Sequence, residues 1–186
     1  MSNKYNSSNI HSIIDKKIFL DANILIYLFG FGTYTSANWE NQYAKLYTKL
    51  NNQNNTFVVD YIVISEFVNR AIRIEYDNYL ASNNLDKSSL TYKKYRNSVD
   101  GKETLNDIYI TLNDEILDEF EVIENSYSKD DLKMMCNVDE LDFSDKAIVK
   151  ICEDNQFILL TNDTDFRNSN IDIISCHKKM CFISGK

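Results

Sequence analysis

Acidic residues follow apolar runs, or stand close to predicted helix starts, at four separate places in this 186-residue chain. Asp21 directly follows the run KIFL, and Asp163 and Asp165 follow FILL within the stretch FILLTNDTDF. Glu66 stands in VISEFV and Asp145 in DFSDKAIVKI. Carboxylate oxygens are the ligands that Mg²⁺ and Mn²⁺ prefer. If the four segments meet in the fold, they can therefore hold a divalent cation.

Carboxylates gathered in one place repel one another. Two charges about 4 Å apart cost roughly 4 kcal/mol at an effective dielectric constant of 20. Such a cluster persists only when protons or cations neutralise it. Divalent ions about 3.5–4 Å apart, held by carboxylates, are suited to cleaving phosphodiester bonds.

Each acid also has a structural interpretation when taken alone. Glu66 follows Ser65 and Asp145 follows Ser144, so both acids could serve a helix start, where a serine caps and a carboxylate complements the dipole. Asp163 and Asp165 could be turn formers. Only the combination of four segments favours a site.

The elements that must position these acids alternate along the chain. Apolar runs predict strands at 17–20, 56–59, 120–124, 157–160 and 171–174, and 3.6-residue periodicity predicts helices at 21–29, 39–50, 64–81, 103–119, 128–136 and 144–155. This alternation predicts an α/β fold with a central, mainly parallel sheet of about five strands. In such sheets ligands bind outside the carboxyl ends of the strands, where strand order reverses.

The segments KIFLDANILIYLF, VISEFVNRAI, FSDKAIVKICED and FILLTNDTDF resemble, in order, the four acidic motifs of PIN-domain nucleases. The pattern is most similar to the bacterial toxins of the VapC type. The resemblance implies a three-layer α/β/α, Rossmannoid domain over residues 1–186, with a polar N-terminal extension over about 1–15 and a helical insertion over about 75–119. It further implies a Mg²⁺- or Mn²⁺-dependent endoribonuclease.

Site residues carry over from the motifs position by position. The resemblance makes the four acids catalytic residues and metal ligands, with a fifth acid as a further ligand: Asp21, Glu66, Asp145 and Asp163, then Asp165. Asn23 and Thr161 match supporting polar positions. The chain departs from the family at Ala22, where threonine is frequent, and in its long middle segment.

The charge of −8 is distributed unevenly. Residues 113–142 carry eleven acids against two lysines, whereas residues 87–102 carry five basic residues against one acid, with Tyr92 and Tyr95 between them. The second segment predicts a patch for single-stranded nucleic acid, and its alternative is a solvated surface. The candidate RNA-binding residues are Arg70, Arg73, Lys93, Lys94 and Arg96.

The composition limits the predicted cellular location of the protein and the chemistry of its cysteines. The chain has neither an apolar run of the roughly 20 residues that span a bilayer nor an N-terminal signal-peptide pattern, so a cytoplasmic protein without membrane contact is predicted. The four cysteines are interpreted as reduced thiols. A zinc site from Cys176, His177 and Cys181 is the alternative, although it lacks a convincing fourth ligand.

Several functions remain in competition. The first is a toxin endoribonuclease, with RNA as substrate and a protein antitoxin and a second copy of the chain as candidate partners. An RNA-processing nuclease without an antitoxin and a non-catalytic RNA- or protein-binding module are the alternatives. A haloacid-dehalogenase-like phosphatase is disfavoured, because its chemistry needs a second aspartate where this chain has Asn23.

Overall fold

A parallel β-sheet flanked by helices forms the centre of the computed structural model, which describes residues 2–32 and 37–180. The strands are β1 (Lys4–Tyr5), β2 (Lys17–Leu20), β3 (Thr56–Val59), β4 (Glu121–Val122), β5 (Ile158–Leu160) and β6 (Ile173–Ile174). The helices are α1 (Ala22–Leu28), α2 (Ala37–Asn51), α3 (Tyr61–Ser82), α4 (Tyr92–Asn97), α5 (Val99–Thr111), α6 (Leu117–Glu119), α7 (Lys129–Met135) and α8 (Phe143–Asn155). A π-helical turn (Leu112–Ile116) joins α5 to α6, and 3₁₀ turns cover Asp165–Asn168 and Lys178–Met180.

The strand order in the sheet is β1-β6-β5-β2-β3-β4, and all five pairings are parallel. The α/β class and the parallel sheet are therefore as the sequence predicts, but the sheet has six strands and not about five. The additional strand is β1, in the polar N-terminal segment, where Lys4 and Tyr5 pair with Ile173 and Ile174. Two polar residues give no apolar run by which such a strand could be recognised.

The order in which the strands are added to the sheet changes direction between β2 and β5. From β2 the chain proceeds through β3 to β4 on one side, and then returns to place β5 and β6 on the other side. A crevice forms at such a reversal, outside the carboxyl ends of the two strands. Asp21 follows β2 there, and Thr161 follows β5.

The central strands are apolar because helices cover them. Phe19 on β2 lies between Val58 of β3 and Leu159 of β5, and all three are completely buried. Strands buried on both faces carry continuous apolar runs without alternation. Burial of each such side chain contributes about 1.5–3 kcal/mol, so the sheet is a rigid support for the residues at its edge.

The middle of the chain packs differently from the prediction for residues 87–102. Tyr95 is a core residue of α4, 2% exposed, with ring centroids 5.5 Å from Tyr76 and 5.0 Å from Tyr79. The expectation that Tyr95 interleaves with the basic charges at the surface was therefore wrong, because its ring fills the space between α4 and α3. Over the described ranges, no helix has the length and apolarity that a membrane crossing requires.

Candidate active site

Asp21 lies at the amino end of α1 and does not cap the helix. Its side chain makes no capping hydrogen bond, and only 4% of the residue is exposed. Instead, Oδ2 accepts hydrogen bonds of 2.5 Å from both Thr161 Oγ1 and Asn23 Nδ2. The carboxylate is thus buried and oriented by two side chains without contributing to the helix end.

Asp60, which follows β3 as Asp21 follows β2, shows what a structural aspartate does in this fold. It is 3% exposed, and its Oδ1 accepts from Val63 N at 3.0 Å, which caps α3. Asp60, and not Ser65, therefore starts this helix. Glu66 lies more than one turn inside α3, so the helix-start interpretation of Glu66 was wrong.

Asp145 does not cap α8, although it lies in the first turn of that helix, where its charge complements the helix dipole. Asp142 is the N-cap of α8, with its Oδ1 accepting from Asp145 N at 2.9 Å, whereas Ser144 donates to the same oxygen at 2.8 Å. The predicted Ser144 cap was wrong by two residues. The Asp145 carboxylate remains outside the cap, and its pKa is raised to about 7 by burial and then by repulsion from Asp142, Asp21 and Asp163.

The turn after β5 is built around the Thr161 hydroxyl. Thr161 Oγ1 accepts from Asp163 N at 2.9 Å, and Asn23 Oδ1 accepts from Asn162 N at 3.1 Å. Asp163 Oδ1 accepts from Asp165 N at 3.0 Å, so Asp163 also forms the turn, as its structural interpretation predicts. Asp165 is exposed at the start of the 3₁₀ turn.

Two tyrosines that the sequence did not single out support this turn. Tyr43 of α2 is completely buried, and its hydroxyl donates to Thr161 O at 3.0 Å or to Asn162 Oδ1 at 2.9 Å and accepts from Cys176 N at 3.0 Å. Tyr27 stacks on the Tyr43 ring at 5.5 Å and accepts from Asn162 Nδ2 at 3.2 Å. Tyrosine at helical spacing also fills ordinary cores, so no local signal distinguished these two.

Electrostatic interactions link the four predicted acids into one set, defined here as the carboxylate cluster: Asp21, Glu66, Asp145 and Asp163. Burial raises the pKa of Asp21 to about 6, opposed by the Thr161 hydrogen bond and increased by Glu66 and Asp163. Repulsion from Asp21 and Asp163 likewise raises the pKa of Asp145. Four separated segments thus meet at the crevice beside β2 and β5.

One cation offsets this negative charge. Arg70 Nη1 lies 3.1 Å from Glu66 Oε1, one helical turn along α3, and its charge lowers the pKa of Asp21. The pair is partly exposed, with side-chain exposures of 45% for Arg70 and 32% for Glu66. The predicted RNA-binding Arg70 therefore lies beside the carboxylate cluster, paired with Glu66.

The donor chemistry of the cluster fits Mg²⁺ or Mn²⁺. All four groups offer hard oxygen ligands, and burial, followed by repulsion from neighbouring acids, raises the pKa values of Asp21 and Asp145. Within residues 2–32 and 37–180, however, no three acidic, histidine or cysteine side chains converge closely enough to hold a metal ion. The residues fit the cation in type and charge, and ligation requires side-chain movement.

The other basic candidates lie farther along α3 and on α4. The Arg73 guanidinium lies 4.5 Å from the centre of the Tyr92 ring. Lys93, Lys94 and Arg96 are exposed on α4. Arg73 is three residues beyond Arg70, about 4.5 Å along the helix axis, so the two arginines are neighbours on the surface of α3.

The alternative chemistries find less support at these positions. Asn23 bridges Asp21 and the Asn162 amide, which is a bracing role and not that of a second phosphatase aspartate. Cys136 is exposed, Cys152 is buried and Cys176 is half-buried, whereas Cys181 lies outside the described residues. His177 stacks on Trp39, and its Nδ1 accepts from Lys179 N at 3.2 Å.

Comparison with protein-family profiles assigns the chain to a known family. The sequence profile of the PIN domain matches residues 18–170, which include the whole carboxylate cluster. The fold is similar to that in the crystal structure of VapBC2 from Rickettsia felis bound to a DNA fragment from their promoter, with a TM-score of 0.48 and 15% identity, covering 86% of this chain and 98% of that one. No curated protein sequence matches the chain significantly. The predicted family is confirmed by the profile: the chain belongs to the PIN-domain family.

Proposed function

We propose that this protein is a Mg²⁺- or Mn²⁺-dependent endoribonuclease that hydrolyses RNA phosphodiester bonds in the cytoplasm. The observation that carries the proposal is that two of the cluster acids, Asp21 and Asp145, have raised pKa values and do not cap a helix. Asp60 and Asp142 cap their helices, whereas Asp21 and Asp145 beside them do not, and both have raised pKa values. Perturbed acids that gather in a crevice are typical of functional sites.

In this proposal the carboxylate cluster holds the cation, with Asp165 as an additional ligand after a small movement of the turn. The bound cation would activate water and stabilise the leaving oxygen. Thr161 and Asn23 keep Asp21 Oδ2 oriented, and Tyr43 keeps the Thr161 turn in place. Arg73 and the basic residues of α4 would attract the RNA backbone.

Cleavage should depend completely on added metal. Purified protein stripped with EDTA should leave a labelled single-stranded RNA intact, and Mn²⁺ or Mg²⁺ should restore cleavage. The Asp145→Asn variant, purified in parallel, should be inactive at every metal concentration, which excludes a co-purifying ribonuclease. Full cleavage in EDTA, or equal cleavage by Asp145→Asn, would contradict the proposal and favour a non-catalytic binding module.

RNA binding should depend on the exposed lysines of α4. Replacing Lys93 and Lys94 together by alanine should weaken binding and flatten its dependence on salt, by up to about 0.7 for each lysine–phosphate ion pair removed. The measurement is the slope of log K against log salt for a single-stranded RNA in EDTA. The matched control replaces Lys16 and Lys17, an exposed pair at the opposite end of β2, and should keep the wild-type slope. An unchanged slope in the α4 variant would indicate that α4 is a solvated surface that does not bind RNA.

We further infer that the nuclease is a toxin restrained by a basic protein partner. A groove of about 520 Å³ between α1, α2 and the π-helical turn has Phe29 and Phe120 among its apolar residues and Asp114, Glu115 and Asp118 on its acidic side. An apolar floor beside an acidic wall suits an amphipathic segment with lysines or arginines. A gene for a small basic or DNA-binding protein beside the gene for this chain would support this inference, whereas its absence would favour an RNA-processing nuclease.

A further inference from the structure

Arg70 brings a positive charge to the carboxylate cluster. Its guanidinium pairs with Glu66 at 3.1 Å, and its charge lowers the pKa of Asp21. It also lowers the pKa of Tyr27, whose hydroxyl lies next to the Thr161 turn. Asp21 and Asp163 raise the pKa of the Tyr27 hydroxyl, whereas Arg70 lowers it. Arg70 therefore contacts the carboxylate cluster at Glu66 and acts as a counter-ion to it.

The next arginine on the same helix has a different environment. Arg73 lies over the Tyr92 ring of α4, at 4.5 Å, whereas Arg70 makes its ion pair with the i−4 glutamate. Both side chains carry the same charge on one helix, three residues apart. The difference in their partners makes Arg73 a matched control for Arg70.

A metal ion and Arg70 compete for the same charge. The guanidinium engages Glu66 Oε1, so both oxygens of this carboxylate can ligate a cation only after the ion pair breaks. A divalent ion placed among these carboxylates also repels the guanidinium.

We propose that Arg70 is a built-in counter-ion that stabilises the metal-free carboxylate cluster, is displaced from Glu66 when the metal binds, and thereby lowers the affinity of the site for metal. The inference rests on the proposed function, since it takes the carboxylate cluster as the metal site. The expected consequence is that the protein stays folded without metal and binds the metal only when the cation concentration is high enough.

Calorimetric titration of the full EDTA-stripped chain with Mn²⁺ tests this inference. Arg70→Gln should bind Mn²⁺ about fivefold more tightly than wild type, a size that follows from the energy of a partly exposed ion pair. Arg73→Gln should bind like wild type. Arg70→Lys, which keeps the charge, should lie between wild type and Arg70→Gln.

Thermal melts provide a second readout that does not depend on catalysis. In EDTA, Arg70→Gln should melt below wild type, and saturating Mn²⁺ should stabilise it by more than it stabilises wild type. Equal Mn²⁺ affinities for Arg70→Gln, Arg73→Gln and wild type, or weaker binding by Arg70→Gln, would overturn the inference alone. No Mn²⁺ binding by the wild type would overturn the proposed function together with it.

Discussion

Asp21→Asn should abolish RNA cleavage and leave the metal-free protein at least as stable as wild type at neutral pH. Changes in groups that only support metal ligands typically cost 10- to 100-fold, so loss of the ligand itself should exceed about 100-fold. The asparagine Oδ1 can still accept from Thr161 and Asn23, which keeps the local hydrogen bonds. At the same time the substitution removes one charge from a buried, mutually repelling set.

The pH dependence of stability follows from the sign of the Asp21 shift. Burial raises the pKa of Asp21 from 3.8 to about 6, so the folded state prefers the protonated carboxyl. The associated stability is fully present below about pH 4 and is lost as pH rises through 6. Two pKa units correspond to about 3 kcal/mol. In EDTA, wild type should therefore lose more stability than Asp21→Asn between pH 4 and pH 7.

Asp60→Asn is the matched control for this experiment. Asp60 is equally buried at the end of the neighbouring strand, but its carboxylate caps α3, a role that asparagine fills nearly as well. This variant should retain cleavage and metal binding. A large loss of stability in Asp21→Asn together with retained cleavage would show that Asp21 is structural and would remove the first ligand from the proposed site.

The central sheet was predictable because its strands are buried on both faces. KIFL, TFVV and FILL form continuous apolar runs, and β2, β3 and β5 lie within those runs. The acids were predictable for a related reason, since a carboxylate directly after such a run must reach the carboxyl edge. By contrast, β1 depends on its pairing with Ile173 and Ile174, which lie almost the whole chain length away. Nothing in the dipeptide Lys4–Tyr5 itself indicates that pairing.

Distant contacts also explain what was missed in the site. Tyr43 contacts Thr161 and Asn162 across more than a hundred residues, so its part in the turn follows only from the packing of α2 on the sheet. The choice between capping and non-capping acids is similar. Asp60 and Asp21 both follow apolar strands, but Asp60 accepts from Val63 N of the helix that it caps, whereas Asp21 accepts from Thr161, which is 140 residues away in the sequence.

The same packing implies a second large effect, at Thr161. Thr161 is completely buried, and its hydroxyl donates to Asp21 Oδ2 at 2.5 Å and accepts from Asp163 N at 2.9 Å. Thr161→Val keeps the shape and removes these two bonds and the 3.3 Å bond that the hydroxyl accepts from Asn23 Nδ2, which leaves a half-buried amide and a carboxylate oxygen short of partners. The expected cost is about 1–3 kcal/mol of stability. Cleavage should fall about 10- to 100-fold, as for other groups that orient metal ligands.

A positioning role for Thr161 differs from a purely structural one in its effect on titration. The Thr161 hydrogen bond lowers the pKa of Asp21, so Thr161→Val should raise that pKa further above 6 in the metal-free protein. Carboxyl resonances followed by NMR against pH would measure the change. Thr161→Ser retains the hydroxyl and should restore the wild-type titration and most of the cleavage, even if its smaller side chain lowers the melting temperature. A valine variant that is destabilised but titrates and cleaves like wild type would show that Thr161 only packs.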